Sequence, residues 1–72
     1  MRRAFIYGND ITPERIERYL PGNYQVVGNG KDIDGRDFVL IEGEDNAGWT
    51  MDDYVLPRLA SGLWFGEEID EH

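Results

Sequence analysis

The sequence predicts an α+β fold: a four-stranded antiparallel sheet with two helices on one of its faces. Three observations lead there. Short runs of apolar and aromatic residues occur at positions 3–7, 24–27, 38–42 and 63–65. Two stretches between those runs start with helix signals at Thr12 and Thr50. Glycine and proline separate the runs, with no repeat and no Ser/Pro-rich linker, so the 72 residues make one small domain.

Residues 3–7, RAFIY, read as the first strand, and Gly8-Asn9-Asp10 turns the chain. Thr12 caps a helix whose first position is Pro13, where the missing N–H costs nothing. Ile11 and Ile16 stand where a hydrophobic staple places them, and Ile16, Tyr19 and Leu20 make one apolar face. Glu14 and Arg18 are spaced for an ion pair, and Pro21-Gly22 stops the helix. Residues 24–27 form the second strand, and a turn region runs from Gly28-Asn29-Gly30 through Asp34-Gly35. Residues 38–42 are the third strand. An acidic loop leads to Thr50, which caps a second helix with Asp52 and Asp53 in its first turn. Met51, Val55 and Leu59 recur every four residues on its inner face, and Ser61-Gly62 ends it. Residues 63–65 form a short last strand. The order βαββαβ is that of the split βαβ, or ferredoxin-like, arrangement, with strands in the spatial order 4-1-3-2. The domain is expected to span residues 1–66, with 67–72 as an acidic, flexible tail.

Pro57 falls at the seventh position after the Thr50 cap, inside the second helix. There it removes one backbone bond and crowds the carbonyl of Asp53. The helix must either kink or stop and restart at Pro57.

Alternation sends Ala4 and Ile6 to one face of the sheet and Phe5 and Tyr7 to the other, and separates Val39 and Ile41 from Phe38 and Leu40. Both faces of both central strands are therefore apolar. Two short helices cover one face. The other exposes Phe5, Tyr7, Phe38 and Leu40, and an apolar patch of that kind marks an interface. A second copy of the chain is the simplest cover, which makes a homodimer the expectation. Trp49 and Trp64 bracket the second helix and serve either as core anchors or, with Tyr54 and Arg58, as interface anchors.

The net charge is −8 and uneven. Residues 1–36 hold six basic and five acidic side chains, whereas residues 37–72 hold Arg58 against ten carboxylates. Such a field repels phosphate backbones and suits a basic protein surface, with Glu44, Asp45, Asp52 and Asp53 as the acidic partner face.

The residues that catalysis needs are scarce. There is no cysteine, one serine (Ser61) and one histidine (His72, the last residue), so neither a nucleophile–base pair nor a histidine metal centre can be assembled. Phosphate-binding glycine motifs are absent. The segment DIDGRD suggests a calcium loop, but setting Gly35 at the invariant glycine puts Gly30 at position one and Ile41 at the final glutamate. The expectation is a chain that is not an enzyme and has no metal and no cofactor. No apolar run is long enough for a signal peptide or a membrane helix, so a soluble, cytoplasmic protein is expected.

Two stretches resemble known families. AFIYGNDITPERIERYL looks like the first strand, loop and helix of the RNA-recognition motif, with FIYGN similar to its shorter signature and GRDFVLIEGED to its longer one. That resemblance implies base stacking on Phe5 and Phe38. The chain departs from the pattern at Asp37, where the family has a small residue, and at Leu40 and Gly43, where it has aromatics. GEDNAGWTMDDYVLPRLASGL resembles a segment of small uncharacterised proteins of actinobacteria and their phages, of the form AGWTLDDYVIPRLASGL. It implies an accessory protein of that setting, and a phage-encoded version is expected to act by docking on or inhibiting a host protein. The leading expectation is therefore an acidic, protein-binding accessory domain. The alternative is a binder of single-stranded nucleic acid through the open sheet face.

Overall fold

A computed structural model describes residues 1–69. The elements are β1 (Arg2–Tyr7), α1 (Pro13–Glu17), β2 (Tyr24–Lys31), β3 (Asp37–Gly43), a π-helical turn (Met51–Val55), α2 (Leu56–Ser61) and β4 (Phe65–Ile69). The strands form one antiparallel sheet in the order β2-β3-β1-β4, the order expected from the sequence. The arrangement is a small α+β fold of ferredoxin-like type, with α1 packed against β2 and α2 against β4.

The start of α1 forms as its residues dictate. The Thr12 hydroxyl accepts from the Arg15 N–H at 3.2 Å, and Pro13 takes the first helical turn. Ile16 is fully buried, and Ile11, Tyr19 and Leu20 pack around the core. The helix is short and closes with tight turn bonds from Tyr19 to Ile16 and from Leu20 to Glu17. Arg18 is its C-cap, and the Glu14–Arg18 ion pair expected from spacing does not form.

Thr50 caps the second helical segment through the Asp53 N–H at 3.1 Å. Its first turn is wide: the Val55 N–H reaches the Thr50 carbonyl at 3.0 Å, and the Leu56 N–H reaches Met51, each spanning five residues. The π turn then passes directly into α2, which starts one residue before Pro57. Proline thus sits where a helix tolerates it, and the widened turn absorbs the bond it cannot make. Met51, Val55 and Leu59 are all fully buried, as their spacing requires.

The core lies between the helices and one face of the sheet. It is built from Ala4, Ile6, Val39, Ile41 and Tyr24 of the strands, with Ile16, Met51, Val55, Leu59 and Trp64 above them. Gly43 shares a cross-strand row with Arg2 and Tyr24. A Cβ on Gly43 would lie 2.5 Å from the Tyr24 ring and closer still to the Asn23 carbonyl, so only glycine lets that ring lie over β3.

Two strands are longer than the sequence suggests. β2 continues through Gly28-Asn29-Gly30 to Lys31, with a bulge where Val27 and Gly28 together oppose Leu40. The turn proper is confined to residues 32–36. There the Asp32 carboxylate accepts from the Asp34 and Arg36 N–H groups, both at 2.9 Å. β3 has a full row of backbone groups to satisfy, and that demand overrides the weak strand preference of glycine. Likewise β4 runs past Phe65, so that Glu67, Glu68 and Ile69, assigned to the tail from composition, pair with Phe5, Ala4 and Arg3. Without them the outer edge of β1 would have no partner. Leu63 and Trp64, expected in this strand, form its approach instead. Residues 70–72, including His72, lie outside the described residues.

Candidate functional site

The face of the sheet that the helices leave uncovered carries three cross-strand rows. In strand order they read Gly30–Phe38–Tyr7–Phe65, Gly28–Leu40–Phe5–Glu67 and Gln25–Glu42–Arg3–Ile69. Phe5, Tyr7, Phe38 and Leu40 come together here as alternation predicts, and each is half-buried by its neighbours. Phe5 meets Phe38 edge to face with centroids 5.0 Å apart, and Tyr7 lies 6.4 and 6.3 Å from the two rings. Phe65 adds a fifth apolar side chain, 72% exposed. Strand β2 contributes only hydrogen where Gly28 and Gly30 face this side. The surface therefore slopes from a low strip along β2, where the Phe38 ring edge reaches Gly30 and the bulged Val27 is 42% exposed, to a raised ring on β4.

The cations of this face are already engaged. Arg36 stacks over the Tyr7 ring at 4.5 Å and donates to Asp32 at 2.9 Å. Arg3 donates to Glu42 at 3.1 Å. The Asp32 carboxyl is held below its ordinary range by the Arg36 backbone N–H first and by the Arg36 guanidinium next. Two arginines against Asp32, Glu42 and Glu67 leave the face almost neutral on a chain of net charge −8. An open depression of about 400 Å³ between Tyr7, Arg36 and Phe65 extends the face at one end.

Part of the acidic group is tied to one arginine. Arg2 draws Asp52 and Glu68 to its guanidinium at 2.9 and 2.7 Å and bonds Asp45 as well. Asp45 also accepts from the Tyr24 hydroxyl, and from the Met51 N–H at 2.9 Å. Tyr24, then Arg2, hold the Asp45 carboxyl below its usual range. Burial, then Asp45, push the Tyr24 hydroxyl well above an ordinary tyrosine. Glu68, Asp52 and Asp45 raise Arg2 further. All four acidic residues are exposed, but Asp45 and Asp52 are ion-paired to Arg2. Among the described residues no group of three or more His, Cys, Asp or Glu side chains is arranged to hold a metal ion.

The four aromatic and basic anchors divide. Trp64 is 6% exposed, packs edge to face on Tyr19 at 5.1 Å and donates to the Asn9 carbonyl at 3.3 Å, so it belongs to the core. Trp49 is 40% exposed and stands against Tyr54 at 4.2 Å. Arg58 lies 5.6 Å from the Tyr54 ring and 6.0 Å from Tyr19, which joins these residues in one ridge on the helix side.

Sequence reasoning missed Phe65, Gly28 and Gly30 as members of the open face, and Arg2 as the centre of the acidic group. Parity would have found Phe65 once β4 was given its full length, but Gly28 and Gly30 reach this face only because the bulge at Val27 shifts β2 by one residue. No local signal marks Arg2, whose partners Asp45 and Glu68 lie 43 and 66 residues away. No helix among the described residues is long and apolar enough to cross a membrane. Compared with known proteins, the chain matches no family model, no curated protein and no solved structure.

Proposed function

We propose that this chain is a protein-binding accessory module without catalysis of its own, and that the open sheet face receives a protein surface, from another protein or from a second copy. The observation that carries this reading is the contiguous set Phe5, Tyr7, Phe38, Leu40 and Phe65 on the face the helices leave bare. Exposed aromatic clusters with a polar margin are typical of protein interfaces. The paired state of Arg3 and Arg36 supports protein over nucleic acid as the ligand, because a phosphate backbone would have to displace carboxylates to gain a cation. The edge-to-face meeting of Phe5 and Phe38 supports it too, since base stacking needs open ring faces. The ion pairs of Asp45 and Asp52 favour this face over the acidic residues as the docking surface. The wider reading, an actinobacterial or phage cytoplasmic protein that docks on a host protein, rests on the resemblance of residues 43–63 alone.

The test is comparative binding. Wild type and Phe38→Asp are immobilised and exposed to nuclease-treated lysate, and the same proteins are titrated with fluorescent single-stranded oligonucleotides at low and moderate salt. Specific protein capture that the substitution abolishes, with no oligonucleotide binding, is the expected result. Oligonucleotide binding that weakens steeply with salt and disappears in Phe5→Ala and Phe38→Ala would replace this reading with the nucleic-acid one.

A further inference from the structure

We infer that the occupant of the open face is a second copy of this chain, packed sheet to sheet about a two-fold axis that runs along the strands between β1 and β3. The inference rests on the protein-binding reading of that face and goes further by naming the partner and its register.

The cross-strand rows are self-complementary under that operation. The axis exchanges β2 with β4 and β3 with β1 and keeps each row level with itself. In the first row Phe65 of each copy, which stands 72% exposed, comes to lie over Gly30 of the other, where the only side chain beside the backbone is the Phe38 ring edge. The raised ring on β4 thus meets the low side of the face, where Gly28 and Gly30 carry no side chain of their own. Phe38 faces Tyr7 in the same row, and Leu40 faces Phe5 in the second. In the third row Glu42 faces Arg3 of the other copy, so opposite charges meet at the margin. An isologous contact is reciprocal, so each of these contacts occurs twice.

Charge points the same way. Two molecules of net charge −8 repel each other over most of their surfaces. The open face is close to balanced, with Arg3 and Arg36 set against Asp32, Glu42 and Glu67, so it is where a second copy can approach. Its size sets the strength. Four strands about 4.8 Å apart and five or six residues of about 3.4 Å each make a face of roughly 20 by 20 Å. That is roughly 400 Å² from each copy, about 800 Å² in total and below the ~1,200 Å² of stable complexes, so the dimer is expected to be weak and to form toward millimolar concentration.

Light scattering behind a sizing column, over a dilution series from micromolar to millimolar, tests this. Three proteins are compared: wild type, Gly30→Leu and Phe65→Ser. A Cβ at position 30 and a smaller side chain at position 65 fit the isolated fold. A Cβ at Gly30 would touch only the Phe38 ring, at 3.4 and 3.6 Å, and Phe65 is solvent-exposed. Circular dichroism confirms that each variant is folded. The expected result is a wild-type mass that rises from 8.3 kDa toward twice that value with concentration. Filling the low strip or removing the ring should weaken the association about tenfold or more. A wild type that stays monomeric throughout overturns the second copy as occupant and leaves the face open to another protein. A dimer indifferent to both substitutions also overturns it, and counts against the open face as the binding surface altogether.

Discussion

Asp45 is the residue on which most of the polar structure converges. It takes the Tyr24 hydroxyl, the Met51 N–H and Arg2, so it ties the loop after β3 to the start of the second helical segment and to β1. Its carboxyl is held below an unfolded value of about 3.9. Its contribution to stability is therefore fully present above that pH and is lost as the pH falls through the depressed folded value. Asp45→Asn should flatten the acid limb of a stability-against-pH profile measured by urea unfolding. Tyr24 has the opposite sign: its raised value keeps its contribution intact up to about pH 10, and the contribution is lost as the pH climbs through the folded value. Tyr24→Phe should cost about 1.5 kcal/mol at neutral pH and remove the alkaline loss. Gly43→Ala should cost about 1–3 kcal/mol in the same assay, because a backbone carbonyl and an aromatic ring occupy the space its methyl would need. None of these three roles is visible in the local sequence, which shows an acidic loop, a strand tyrosine and a strand glycine.

Among the elements, the second helical segment answers the proline problem by changing its own pitch. The π turn places Pro57 at the second position of α2, where a missing N–H breaks no helix bond. Pro57→Ala should therefore change stability by less than about 1 kcal/mol, far from the ~3 kcal/mol typical of a proline deep in a helix. Thr50→Ala should cost about 1 kcal/mol, since it removes the cap that starts the turn. Chemical denaturation of the two variants side by side measures the contrast, and a large gain from Pro57→Ala would sink this account of the turn. Both helix starts were legible because a cap and its N–H lie three residues apart. The full lengths of β2 and β4 were not. Their glycines and glutamates argue for turn and tail, and only a neighbouring strand with unsatisfied backbone groups reverses that preference.

For the molecule as a whole, the two tryptophans report opposite environments. Trp64 closes the core beneath α1, and Trp49 stands at the surface beside Tyr54. In Trp49→Phe the remaining indole should resist acrylamide quenching, while in Trp64→Phe it should be quenched readily. Equal quenching would contradict the burial of Trp64. The two faces of the sheet differ in the same way. One is sealed by helices, and the other shows aromatics over a nearly neutral surface. That asymmetry follows from having apolar residues on both sides of β1 and β3 and only two short helices to cover them.

Residue order alone was enough for the α+β class, the caps at Thr12 and Thr50, the buried stripe Met51–Val55–Leu59 and the aromatic quartet of the open face. Each depends on neighbours within about four positions or on strict alternation, and short-range geometry carries over into any fold. The gathering of Asp45, Asp52 and Glu68 around Arg2, the recruitment of Phe65 to the open face and the low strip of Gly28 and Gly30 appeared only in three dimensions. Those features depend on contacts between distant parts of the chain, up to 66 residues apart, and no local pattern records which strands lie side by side.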